Sequence, residues 1–208
     1  MITVQRFSKA LSQRSLNCML SVIIPTEGVE QPAVATLAAL VPGAAAGIVR
    51  EVLLVDRSGS SVIERVADVA GCRYLRAEGT RAAALAAGAG QARSPWLMFL
   101  HAGAVLDSGW IDETTQFINV VSASGRPRAA VFRYARSPYA DRHLRDGFKA
   151  IVRMVAGPST EQGLLIAREH YDRLGGYRPD ARRTEAHLLR RLGRSSRTML
   201  RSRIMVVA

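Results

Sequence analysis

Short runs of uninterrupted apolar residues alternate along this chain with longer stretches in which apolar positions recur every three or four residues. The first run, "MLSVIIP" (19–25), is β-branched and stopped by a proline, the pattern of a strand buried on both faces. "PAVATLAALVP" (32–42) then carries Val34, Leu37, Ala38 and Val41 at helical spacing. These four form the expected inward face, with Pro32 near the helix start and Pro42 beyond its end. "EVLLVD" (51–56) reads as a second buried strand, and "SSVIERVADVA" (60–70) as an amphipathic helix turning Val62, Ile63, Val66, Val69 and Ala70 inward. A short strand, "CRYLRA" (72–77), precedes an alanine-rich helix in "GTRAAALAAGAGQARS" (79–94) that is expected to end near Gly88–Gly90. "WLMFLHA" (96–102) is the fourth strand.

The alternation continues less regularly. A helix is expected over 107–124, with Asp107 or Ser108 as its N-cap, then a strand over 128–135 and a basic helix over 140–157. Residues 162–177 read as a strand running into a short helix closed by Gly175–Gly176. "TEAHLLRRLGR" (184–194) is the last clear helix, and "SRIMVVA" a candidate final strand. All-apolar strands alternating with helices predict an α/β fold with a mostly parallel sheet. Ligands of such sheets sit at the carboxyl ends of the strands. Three of those ends carry polar, turn-forming residues here: "PTEG" (25–28), "VDRSGS" (55–60) and "LHAGA" (100–104).

Composition narrows the picture. The 208 residues suit one domain with a full core, and 48% hydrophobic against 22% charged residues excludes a disordered chain. Two cysteines, Cys18 and Cys72, are too few for a disulfide framework and point to a reduced, cytoplasmic setting. No apolar stretch approaches the roughly 20 residues of a membrane span. Residues 1–17 lack the apolar centre of a signal peptide and read as a mobile or weakly helical basic leader ahead of a domain over 18–208. The net charge of +12 favours polyanionic partners and leaves peripheral contact with an anionic membrane open. Few aromatics interleave the arginines, and no zinc-finger or helix-turn-helix pattern is present, so nucleic acid is disfavoured.

The first strand is not followed by the G-x-G-x-x-G of a dinucleotide site, and no P-loop is present. The chain does have an ordered set of segments: "LSVIIPT", "EVLLVDRSGS", "RAAALAAGAGQARSPWLMFLHAGAVLDSGW", "EQGLLIAREHYDRLGGYRP" and "EAHLLRRLGR". In order and spacing, over residues 18–194, this set resembles the family-2 glycosyltransferases of GT-A fold. The nearest likeness is to the small subgroup whose fourth strand ends in "LHADT", here "LHAGA".

The resemblance implies a single GT-A domain, a mixed sheet with parallel core strands flanked by helices. It implies transfer of a sugar, with inversion, from a nucleotide-diphosphate donor, UDP-linked by expectation, to a hydroxyl acceptor such as a glycan or a lipid-linked molecule. Pro25, Thr26 and Glu27 would line the nucleoside pocket, and Asp56 would stand near the base. On the residues alone, the alternative for Asp56 is capping of the turn before Ser58–Gly59. Arg81 would lie near the base or the phosphates, with His101, Ala102 and Gly103 at the end of the fourth strand; Arg57, where relatives carry a small or acidic residue, departs from the family and, with Arg81, could stabilise the diphosphate of a metal-independent enzyme. Glu161, Gln162 and Gly163 occupy the place of the family's "GDQG" on the acceptor side. Glu185 stands where the family carries its general base.

The sequence departs from the family most at 101–103. Relatives place there a D-x-D-like element that holds Mg²⁺ or Mn²⁺, but Gly103 offers only backbone and one imidazole is a poor sole ligand for a hard cation. No metal ligands are therefore assigned, and Mg²⁺ or Mn²⁺ stays open as a weakened cofactor. A metal-independent transferase, a nucleotide- or glycan-binding protein or partner subunit without turnover, and a basic membrane-surface or nucleic-acid-binding protein that has kept only the fold all fit the residues.

Overall fold

The protein is described from a computed structural model covering residues 19–135, 162–179 and 184–207, without the side chains of Thr184 and Glu185. The expected leader, the basic helix over 140–157 and Glu161 lie outside the described residues. The chain forms β1 (Leu20–Thr26), α1 (Glu30–Ala45), β2 (Val49–Asp56), α2 (Ser61–Val69), β3 (Arg73–Arg76), α3 (Arg81–Gln91) and β4 (Trp96–Phe99). It continues through β5 (Ala104–Leu106), α4 (Trp110–Ser124), β6 (Ala129–Tyr134), β7 (Leu164–Ala167), α5 (Arg168–Arg173), α6 (Thr184–Leu192) and β8 (Arg197–Val206).

The eight strands make one sheet in the order β3-β2-β1-β4-β7-β6-β8-β5. β1 to β4 run parallel, β7 lies antiparallel between β4 and β6, and β8 is parallel to β6. β1 is buried along its whole length because the sheet is covered on both sides. Val22 and Ile24 pack with α1 and Trp110 on one face, while Ile23 packs with Leu85 of α3 on the other. Antiparallel β7 brings Leu164 opposite Phe99, so Gln162 and Gly163 arrive at the sheet edge where β1, β2 and β4 end. That reversal places Gln162 and Gly163 beside the end of β4.

Several expectations need correction. Pro42 lies inside α1, which continues to Ala45. The buried positions of α1 are Ala33, Thr36, Leu40 and Gly43, while Val34 and Val41 face outward. Gly43 fits this rotation: a β-carbon there would come within 2.4 Å of the Trp110 ring, so the absent side chain lets α1 pack against Trp110. In α2, only Ile63 and Ala67 are buried, and Val69 is 89% exposed. α3 runs through Gly88 and Gly90 to Gln91, where Arg168 donates to the carbonyls of Ala89, Ala92 and Ser94 at 3.0, 2.6 and 3.1 Å. A cation satisfying the last carbonyls of a helix replaces the glycine stop.

Neither Asp107 nor Ser108 caps α4, whose N-cap is Gly109. The Asp107 carboxylate instead accepts from the Arg203 backbone N–H at 2.8 Å, tying β8 to the chain after β5. The periodicity gave no sign of β5, which pairs antiparallel with β8 at the sheet edge.

Candidate functional site

Three loops converge at the carboxyl ends of β1, β2 and β4. The first two are braced by Asp56, the last residue of β2, whose side chain is fully buried. One carboxylate oxygen accepts from Thr26 Oγ1 at 2.9 Å and from the Gly28 N–H at 3.0 Å. The other accepts from Ser58 Oγ and the Ser60 N–H, both at 2.8 Å. A carboxylate has about four acceptor directions, and all four are taken. Burial alone would raise the Asp56 pKa, but the hydrogen bonds from Ser60, Ser58, Thr26 and Gly28 outweigh it and hold the carboxyl below its ordinary value. This is turn bracing. A base could reach Asp56 only by displacing one of these donors.

Pro25 and Thr26 are likewise buried within β1, so of the three expected pocket residues only Glu27, just after the strand, is exposed. Glu27 pairs with Arg57, whose Nε also donates to the Gly79 carbonyl at 3.1 Å. Arg57 thus bridges the loops after β1, β2 and β3. Arg81 opens α3 on the far side of the same crevice, behind the Thr80 N-cap that accepts from the Ala83 N–H at 3.2 Å.

Arg81, Leu85, His101, Gly163, Tyr177 and Leu189 line a narrow slot of about 20 Å³ at the end of β4, space for roughly one water. Gln162 stands beside it, and its buried Oε1 has no hydrogen-bond partner among the described residues. A buried amide oxygen left without a donor is costly unless a ligand or water supplies one.

The reading of the sequence missed Tyr177, Leu189 and Arg191 as site-building residues. Tyr177 stacks edge-on against Phe99 with centroids 4.9 Å apart, and its N–H donates to the Tyr171 hydroxyl at 2.9 Å. The signal was "GGY": Gly176 has φ +54°, and a β-carbon there would lie 2.8 Å from the Tyr171 ring. Arg191 of α6 donates to the carbonyls of Leu174, at 2.5 Å, and Gly176. This fixes α6, the helix that carries Glu185, against the turn that presents Tyr177. The Glu185 side chain itself is outside the described ones.

The end of β4 differs from the end of β2. The His101 carbonyl accepts from Thr36 Oγ1 at 3.2 Å, and Ala102 packs on the core. Gly103 adopts φ +89°, donates to the Pro32 carbonyl at 2.8 Å and accepts from the Val207 N–H at 2.9 Å. A β-carbon at 103 would lie 2.2 Å from the Val207 carbonyl oxygen. The backbone therefore has no room for a carboxylate-bearing residue at this position. Among the described residues, no three His, Cys, Asp or Glu side chains come together as a metal ligand set. The donor set at 101–103 does not fit a hard divalent cation.

Comparison with known proteins supports the architecture. No family model and no curated protein matches the sequence. Solved structures do resemble the fold. A glucosyl-3-phosphoglycerate synthase from Mycobacterium tuberculosis, solved with Mn²⁺, UDP and glucosyl-3-phosphoglycerate, superposes with a TM-score of 0.60 at 16% identity. The match covers 95% of this chain and 74% of that one. The same synthase with phosphoglyceric acid matches equally, and a further mycobacterial protein reaches a TM-score of 0.59 at 18% identity, covering 94% of this chain and 67% of its own. The chain thus shares the fold of these structures, an α/β fold of GT-A type with a mixed sheet flanked by helices. No helix among the described residues is long and apolar enough to cross a membrane.

Proposed function

We propose that this protein is an inverting glycosyltransferase that takes a sugar from a UDP-linked donor and passes it to a hydroxyl acceptor without a D-x-D metal pair. The observation that carries this reading is the slot at the end of β4 in a GT-A sheet, where Arg81, His101, Gly163, Tyr177 and Leu189 come from five separate segments, with Arg57 tied to Gly79 two residues before Arg81. The Thr26–Gly28 and Asp56–Ser60 loops, held by the buried carboxylate, form a rigid wall for the nucleoside. Arg57 and Arg81 bind the diphosphate as forked donors and offset the charge that develops on it. To do so, Arg57 releases Glu27, a solvent-exposed pair that costs little to open.

Glu185 takes the proton of the acceptor hydroxyl, the acceptor oxygen attacks the anomeric carbon, and the bond to the diphosphate breaks with its electron pair leaving on UDP. Glu161 and Gln162 hold the acceptor, and the unpartnered Gln162 Oε1 accepts from one of its hydroxyls. Because 101–103 lacks a fitting donor set, no step passes through a cation.

Calorimetric titration with UDP, with and without Mn²⁺, tests this reading. Binding that is equal in both conditions, weakened at least tenfold in Arg57→Met, is the expected result. Binding that requires Mn²⁺ overturns the metal-free diphosphate site. The closed position at Gly103 favours one second reading, a GT-A protein that binds nucleotide without turning it over. Nucleotide-sugar hydrolysis that is absent despite tight UDP binding supports it.

A further inference from the structure

The sheet carries a second cluster of charge beside the slot. Phe99, Leu164 and Val131 lie opposite one another across β4, β7 and β6, and all three line the slot. The next residue in that row is Met199 of β8, which is 55% exposed, so the row runs out of the slot onto an open strand face. Two residues beyond Val131 on the same face stands Arg133, with Arg203 of β8 directly opposite. Arg133, Arg201 and Arg203 are exposed, while Leu200, Ser202 and Ile204 turn into the core. Like charges facing each other across a strand pair, with β-carbons about 5 Å apart, repel. Among the described residues, no acid forms an ion pair with Arg133 or Arg203.

The fold nevertheless fixes these cations in place. The register slips between β6 and β8, so that Val131 faces Met199 but Arg133 faces Arg203. The extra residues of β8 are held by Glu113 of α4, whose carboxylate accepts from the Arg201 N–H, the Ser202 N–H and Ser202 Oγ, each at 2.6 Å. Asp107 holds the Arg203 N–H at 2.8 Å. Bulges recur beside functional sites, where they re-aim side chains. We infer that Arg133 and Arg203, with Arg201 beside them, bind a phosphate group carried by the acceptor, whose hydroxyl then enters the slot. The word acceptor rests on the transferase reading; the anion site rests on the arginines. A phosphate offers three oxygens and up to two charges to several guanidinium forks, whereas one fork already satisfies a carboxylate. Arg133 lies about 7 Å along β6 from Val131 of the slot wall, so phosphate and hydroxyl fit within one small molecule.

The test titrates the full-length chain with inorganic phosphate at constant ionic strength. Binding weakened at least tenfold in Arg133→Gln/Arg203→Gln, and kept in Arg57→Met, is the expected result. Equal affinity in the native protein and the double variant overturns the site, as does loss in Arg57→Met alone, which moves the phosphate to the nucleotide side. Folding is read by thermal melting, which should stay equal or rise in the double variant because two facing cations are removed. The single variant Arg133→Gln repeats the titration with one side chain changed. Vesicles of phosphatidylserine and phosphatidylcholine form the second arm. Vesicle binding that needs Arg133 and Arg203, with no binding of inorganic phosphate, assigns the cluster to a membrane surface and overturns the proposal. UDP affinity is measured beside both arms and should be the same in the double variant as in the native protein. A native protein that binds phosphate through these arginines but no UDP defeats the transferase reading and leaves the anion site standing.

Discussion

The ends of β2 and β4 lie one strand apart on the same sheet edge, and they solve the same steric problem in opposite ways. At the end of β2, a side chain does the organising: Asp56 gathers four donors from two loops and leaves the backbone free to bend around it. At the end of β4, the backbone does it: Gly103 exchanges hydrogen bonds with Pro32 and Val207 and has no side chain to offer. A buried carboxylate can look like a ligand-binding group in sequence and be fully occupied in structure. A glycine can look like a lost ligand and be a required joint.

The sharpest break of this comparison is at Gly103. Gly103→Asp should destabilise the protein by about 3 kcal/mol or more, combining a left-handed backbone with a collision against the Val207 carbonyl. Gly103→Ala should lose nearly as much, because the clash begins at the β-carbon. Urea unfolding checks both. A stable Gly103→Asp protein that binds Mn²⁺ would show that the joint is dispensable and the metal site latent.

Asp56→Asn should cost about 2 to 3 kcal/mol, since the amide turns its NH₂ toward two of the four donors. An unfolding midpoint close to that of the native protein would remove Asp56 from its bracing role.

A smaller effect appears with pH. Burial raises the pKa of Asp56, Glu51 and Glu113, yet hydrogen bonds to Ser60, to Ser21 and to Ser202 respectively lead the contributions that bring each below its ordinary value. Each group binds fewer protons folded than unfolded, so stability rises with pH. The contribution is complete above the unfolded carboxylate pKa of about 4 and lost as pH falls through the depressed folded values. Urea midpoints measured from neutral pH downward should trace this loss, with a shallower slope in Asp56→Asn.

The smallest stability effect belongs to Arg57→Met, within about 1 kcal/mol because the pair with Glu27 is exposed. Its UDP affinity should nonetheless fall about tenfold, the loss of one charge-assisted contact. A variant that loses stability and keeps affinity would make Arg57 a brace like Asp56.

The core strands were legible because β1 and β4 and the Leu53–Val55 end of β2 are mainly apolar and fully buried, as a sheet covered on both faces requires. The helix faces were less so. Periodicity finds an apolar stripe but not its rotation, and in α1 the buried face includes Gly43 against Trp110, a contact across 67 positions of sequence. β5 is three residues long and exists by pairing with β8, so no local pattern encodes it. At the site, the loops and their polar residues could be placed from the sequence. The saturation of Asp56 could not, because Thr26 and Gly28 lie 30 and 28 positions away. The roles of Glu161 and Glu185 rest on the order of motifs alone.

The hydrogen bond from Val207 to Gly103 also bears on how this sequence can change. Because the carbonyl of Val207 fills the space beside Gly103, no one-residue replacement can put an acid there while β8 keeps its path. The end of β8 would have to move first, and that change offers no ligand by itself. An acid at 103 taken up alone therefore loses stability before it gains a ligand, and the two changes are useful only together.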